Sequence, residues 1–90
     1  MRLDKYLKVS RIIKRRTVAN EACSGGRVSV NGKIAKAGHE IHPGDRISIR
    51  FGNRYGQYEV TGLAETTRKE DAHLMYKVIS EDIEILTERT

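Results

Sequence analysis

Ninety residues, 38% hydrophobic and 32% charged, suffice for one small domain over 1–90 and leave little for a second core. The single cysteine, Cys23, excludes an internal disulfide, and no apolar run reaches membrane-spanning length. The formal net charge of +5 is unevenly spread: residues 1–54 hold 13 Lys and Arg against 4 Asp and Glu, whereas residues 55–90 hold 4 against 8. A chain polarised in this way meets a polyanion through its first half, with its acidic part turned away.

Seven of the fifteen residues 2–16 are basic, namely Arg2, Lys5, Lys8, Arg11, Lys14, Arg15 and Arg16, and only Asp4 offsets them. Leu3, Tyr6 and Leu7 follow helical spacing and predict a first helix over about 3–9, with Ile12 and Ile13 in the connector. An apolar stripe under a cationic one suits a surface that grips phosphates. The segment lacks the Trp and Phe anchors of a membrane-surface helix. Arg2 and Lys5 fall on the side away from Leu3 and Leu7. Asp4 is read as structural, capping the helix or holding a neighbouring arginine.

Val18, Ala19, Ala22 and Cys23 are spaced for the core face of a second helix over about 16–24. Arg15 and Arg16 stand at its start, where the helix dipole favours anions. Thr17 and Asn20 are candidate donors to phosphate or ribose. The competing readings are a helix cap for Thr17 and an inert exposed site for Asn20. Gly25-Gly26 ends the helix.

Val28-Ser29-Val30 alternates as a strand, and Asn31-Gly32 signals a two-residue hairpin whose return strand begins at Ile34 and Ala35. Arg27, Lys33 and Lys36 flank that hairpin and extend the basic surface. After a turn at Pro43-Gly44-Asp45, Ile47, Ile49 and Phe51 predict a half-buried strand. Tyr58, Val60 and Leu63 suggest another, following a Gly-rich turn near 52–57. A Thr at 66–67 with Glu70 three residues on resembles a helix start and predicts a helix over about 67–76. Residues 77–86 fit neither period.

Catalytic and metal chemistry lack a foothold. Cys23 on a core face reads as a small buried hydrophobe. His39 and His42 have no partners at zinc spacing, and no GKS or GKT follows the glycine pairs. The reading is therefore a non-enzyme with no metal and no cofactor.

Arg-Leu-Asp-Lys-Tyr-Leu at 2–7, Arg16-Thr17-Val18-Ala19, Gly26-Arg27-Val28-Ser29-Val30-Asn31-Gly32 and His42-Pro43-Gly44-Asp45-Arg46-Ile47 carry a resemblance. In order and spacing they resemble the RNA-binding domain named after small-subunit ribosomal protein S-four. The fold this implies is α+β: the alpha-L RNA-binding fold, two N-terminal helices on a small, twisted, mostly antiparallel sheet, here with a short C-terminal helix. The core motif would span 2–51, with an acidic extension over 64–90. Many members have Ser where this chain has Arg15, so the usual cap of the second helix is missing. The resemblance singles out Arg2 and Arg16 as RNA contacts.

Stand-alone copies of this length resemble the heat-shock protein fifteen group. Lys14-Arg15-Arg16-Thr17 and Thr66-Thr67-Arg68-Lys69-Glu70 are most similar to its RqcP-like branch. The resemblance implies a cytoplasmic, monomeric factor for large ribosomal subunits obstructed by peptidyl-tRNA. Its partners would be large-subunit rRNA, the peptidyl-tRNA and the RqcH tailing factor. The alternatives are an accessory module of an RNA-modifying enzyme, such as an rRNA pseudouridine synthase, and a DNA-binding regulator. The second lacks an element that reads base edges.

Overall fold

Leu3, Tyr6 and Leu7 wind into α1 (Leu3–Val9) and are fully buried. The computed structural model describes residues 1–51, 54–64 and 68–82. No side chain caps α1. Instead, the Leu3 and Asp4 N–H groups donate to the His39 and Ala37 carbonyls at 2.8 and 3.1 Å, so a distant loop supplies the cap. Beyond α1, Arg11 adopts φ +65°, a left-handed conformation that costs a non-glycine residue roughly 1–2 kcal/mol. The turn is held by the Ile13 N–H, which donates to the Leu7 carbonyl at 3.0 Å, and by buried Ser10, whose hydroxyl donates to the same carbonyl at 3.2 Å.

The second helix, α2 (Arg16–Ser24), buries Ala19, Ala22 and Cys23. Val18, expected on the core face, is 40% exposed, because the buried stripe runs through positions 19, 22 and 23 and leaves 18 at its edge. Thr17 is not the cap: Arg15 occupies that position without a side-chain cap bond, and Thr17 lies one residue inside the helix. Gly26 follows the helix at φ +74°, where a Cβ would be strained.

The strands are β1 (Val28–Val30), β2 (Lys33–Ile34), β3 (Arg46–Phe51), β4 (Arg54–Val60) and β5 (Tyr76–Asp82). They form one antiparallel sheet in the order β2-β1-β3-β4-β5. Asn31 and Gly32 turn the hairpin with φ values of +53° and +87°. Ala35 falls just past β2, although its N–H still donates to the Val28 carbonyl at 3.0 Å. The Asn31 side chain also ties this hairpin to the next turn, donating to Asp45 Oδ1 at 3.1 Å and accepting from the Arg46 N–H at 3.0 Å.

Inward residues Val28, Val30, Ile47, Ile49 and Val60 meet the apolar face of α1 and α2. Full burial of one such aliphatic side chain contributes about 1.5–3 kcal/mol. Tyr6 extends the core toward the C-terminal part, its hydroxyl donating to the Met75 carbonyl at 2.6 Å.

The C-terminal half departs from expectation in three places. Strand β4 already includes Gly56 and Gln57, which the Gly-rich composition places in a turn, and Leu63 lies outside it. The helix expected over 67–76 is a 3-10 segment over Lys69–Met75. Its buried residues, Ala72 and Met75, are three apart, the spacing that stacks side chains in a 3-10 turn. Residues 77–82, which fit neither period, join Tyr76 from the end of the expected helix to form β5 against β4. The proposed Thr66 or Thr67 cap, Gly52 of the Gly-rich turn and residues 83–86 lie outside the described residues.

Candidate nucleic-acid interface

One carboxylate organises the basic surface. Asp4 is 2% exposed, on the first turn of α1. Arg2 Nε lies 3.2 Å from Asp4 Oδ1, and Arg2 Nη2 lies 3.4 Å from Oδ2. From α2, Arg16 Nη2 lies 3.5 Å from Oδ1 and Arg16 Nε 3.5 Å from Oδ2. Asn20, one turn along the same helix, donates its Nδ2 to Oδ2 at 3.4 Å, and the Lys5 N–H donates to Oδ1 at 2.8 Å. Burial by itself would raise the Asp4 carboxyl. The bonds from Asn20, Arg2 and Arg16, with the Arg16 charge, outweigh it and hold the group below its ordinary value. Asp4 therefore stays ionised and fixes two guanidinium groups whose side chains are 56% and 49% exposed.

The structure divides the other candidates. Lys5 is half-buried on α1, and Lys8, Arg15 and Thr17 are exposed around the same two helices. Arg11 and Lys14 line a cleft of about 520 Å³ together with His73 and Tyr76. Sequence reading passed over His73, because nothing local links it to a connector some sixty positions earlier; the 3-10 segment brings it there. Lys33 and Lys36 are exposed on and after β2. Arg27 belongs elsewhere: it lines a groove with Ser48, Arg50 and Tyr55.

Cys23 is buried, and desolvation, followed by the charge of Asp4, pushes its thiol up to about 11, which removes it as a nucleophile near neutral pH. Among the described residues, no group of three or more His, Cys, Asp or Glu is placed to hold a metal ion. No helix among them is long and apolar enough to cross a membrane.

Residues 1–47 match the S4 domain family. The chain is 54% identical over 82 residues to the RQC P-site tRNA stabilizing factor of Halalkalibacterium halodurans, covering 91% of this chain and 93% of that protein. The Bacillus subtilis protein of the same name is 50% identical over 82 residues, covering 91% and 95%. Heat shock protein 15 of Escherichia coli is 32% identical over 85 residues, covering 93% of this chain and 64% of its own. Among solved structures, the trimeric heat shock protein 15 of Vibrio cholerae superposes with a TM-score of 0.80 at 29% identity, covering 99% of this chain and 88% of that one. The chain belongs to the S4 domain family and, within it, groups with the RQC P-site tRNA stabilizing factors.

Proposed function

We propose that this chain is a non-catalytic RNA-binding factor that acts in the cytoplasm, as a monomer, on large ribosomal subunits obstructed by peptidyl-tRNA. It contacts rRNA and tRNA together and steadies the P-site tRNA during RqcH-dependent C-terminal alanine tailing. The observation that carries the reading is the pairing of Arg2 and Arg16, from two helices, on the single buried carboxylate of Asp4. A guanidinium has five N–H donors. Asp4 engages one edge of each, which leaves the outer donors for phosphate oxygens and holds the planes in place before RNA arrives. Lys5, Lys8, Arg15, Thr17 and Asn20 add charge and donors around that pair, and Arg11, Lys14 and His73 extend it across the connector. The names and extent of the relatives supply the ribosomal setting.

The deciding experiment is co-sedimentation with purified large subunits, with and without peptidyl-tRNA. Retention on tRNA-bearing subunits above that on empty ones is the expected result. Equal retention on both removes the tRNA contact, and no retention on either removes the ribosomal assignment.

A further inference from the structure

A second groove lies on the face of the sheet that the helices leave open. Side chains alternate along a strand, so burial of Ile47 and Ile49 beneath the helices sends Ser48 and Arg50 to the opposite side. Cross-strand partners share a face: Arg50 stands opposite Tyr55, and Ser48 opposite Gln57. With Arg27 from the turn before β1 and Ile34 from β2, these residues line a groove of about 450 Å³. That volume falls in the range of about 300–1,000 Å³ that seats small organic ligands.

The chemistry of the groove is specific. The guanidinium carbon of Arg50 lies 5.9 Å from the centre of the Tyr55 ring. Gln57 donates its Nε2 to the Tyr55 hydroxyl at 2.7 Å and to Ser48 Oγ at 3.4 Å, which anchors the ring at its far end. Among the described residues, the lining holds two guanidinium groups and no carboxylate. A polyanion suits that balance, and the half-exposed aromatic ring adds what a phosphate site does not need: a π face for a base. Bases in a duplex are already stacked on one another, so such a platform selects unpaired strands.

We propose that this groove takes one base and its phosphates from an unpaired stretch of RNA, with Tyr55 as the stacking platform and Arg27 and Arg50 as the phosphate contacts. The inference rests on the RNA-binding reading above but uses the opposite face of the molecule. The chain would then hold two RNA elements at once, a backbone gripped by the helices and a loose strand read on the sheet.

The test titrates the protein with a short unpaired oligoribonucleotide and with the same strand annealed to its complement, followed by NMR. Signals of Ser48, Arg50, Tyr55 and Gln57 should move with the single strand only. Tyr55→Ala should weaken single-strand binding about tenfold and leave duplex binding unchanged. Tyr55→Phe should retain most of it, and thermal melts check the fold of each variant. If Tyr55→Ala binds the single strand like wild type, or Arg50→Gln weakens strand and duplex equally while Tyr55 has no effect, the groove is only a charged surface and the proposal falls. If neither RNA moves these signals and Tyr55→Ala nevertheless loses large subunits, the groove serves a protein partner and the RNA assignment falls. Arg16→Ala in the same titrations reports the helical face, so failure there remains distinguishable from failure here.

Discussion

Arg16 in α2 reaches back to Asp4 in α1, with Nε 3.5 Å from Oδ2, so the single acid of the basic segment, itself buried, links the two helices. The link yields a prediction that runs against simple charge counting. Asp4→Asn raises the net charge by one, which alone would tighten RNA binding. It also releases the guanidinium groups of Arg2 and Arg16 from their shared anchor. The expected result is weaker binding to large subunits and a stability loss of about 1–3 kcal/mol from the charge-assisted bonds. Co-sedimentation and urea unfolding measure the two effects, and tighter binding would show that charge alone matters at this surface.

The same carboxyl predicts a pH dependence. Its folded-state value is lowered from 3.8: burial opposes the shift, and the bonds from Asn20, Arg2 and Arg16 more than compensate. Below the unfolded value, the unfolded chain takes up a proton that the folded chain resists. The stability from Asp4 is therefore fully present above that value and drains as pH falls through the lower, folded one. The stability gap between wild type and Asp4→Asn should hold steady from neutral pH down to about pH 4 and shrink below it. Urea midpoints measured across that range check the sign, and a gap that widens in acid would contradict it.

Gly56 offers a test of the sheet. It sits in β4 opposite Ile49, and a Cβ there would lie 2.6 Å from the Tyr58 hydroxyl oxygen and 2.9 Å from Cζ of its ring. That ring is half-buried and meets Tyr76 of β5 edge-on at 5.5 Å. Gly56→Ala therefore cannot be absorbed by a loose side chain; the Tyr58 ring must move and disturb its contact with β5. Overpacking of this kind costs about 1–3 kcal/mol. A melting temperature unchanged from wild type would show that the ring yields freely.

The first half of the fold was legible because local chemistry decides it. Leu3, Tyr6 and Leu7 mark a helical face, Gly26 and Asn31-Gly32 demand positive φ, and Ile47 and Ile49 alternate. The C-terminal half was not, because tertiary contacts decide it. Tyr76–Asp82 is a strand because β4 offers an edge, and Lys69–Met75 is a tight 3-10 turn whose buried side chains among the described residues, Ala72 and Met75, are three apart. Among the site residues, the sequence marks Asp4 as a helix cap or a holder of a neighbouring arginine; it is the second, and sequence spacing does not reveal that it also joins α1 to α2. The sequence places Arg27 with Lys33 and Lys36 at the hairpin as an extension of the basic surface, because charge has no periodicity to reveal which face a turn residue joins.

The role of Arg2 and Arg16 can be tested by separating charge from geometry. Both pair with a nearly inaccessible carboxylate, so Arg→Ala is not silent for the fold as a fully solvated cation would be. Each guanidinium is about half exposed and the other partner remains, which keeps the expected cost within about 1 kcal/mol. Binding to tRNA-bearing large subunits should weaken by about 1–2 kcal/mol for each lost charge-assisted contact. The logarithmic salt slope of binding should fall by about 0.7–0.9 for every phosphate contact removed. Arg→Lys restores the charge but not the planar fork, so it should recover the salt slope and only part of the affinity. Arg89→Ala removes the same charge from a position outside the described residues and serves as the control, with binding and slope like wild type. Salt-dependent co-sedimentation of wild type and the five variants decides the matter. If Arg89→Ala proves as damaging as Arg2→Ala or Arg16→Ala, the binding energy comes from net charge and not from the face that Asp4 organises.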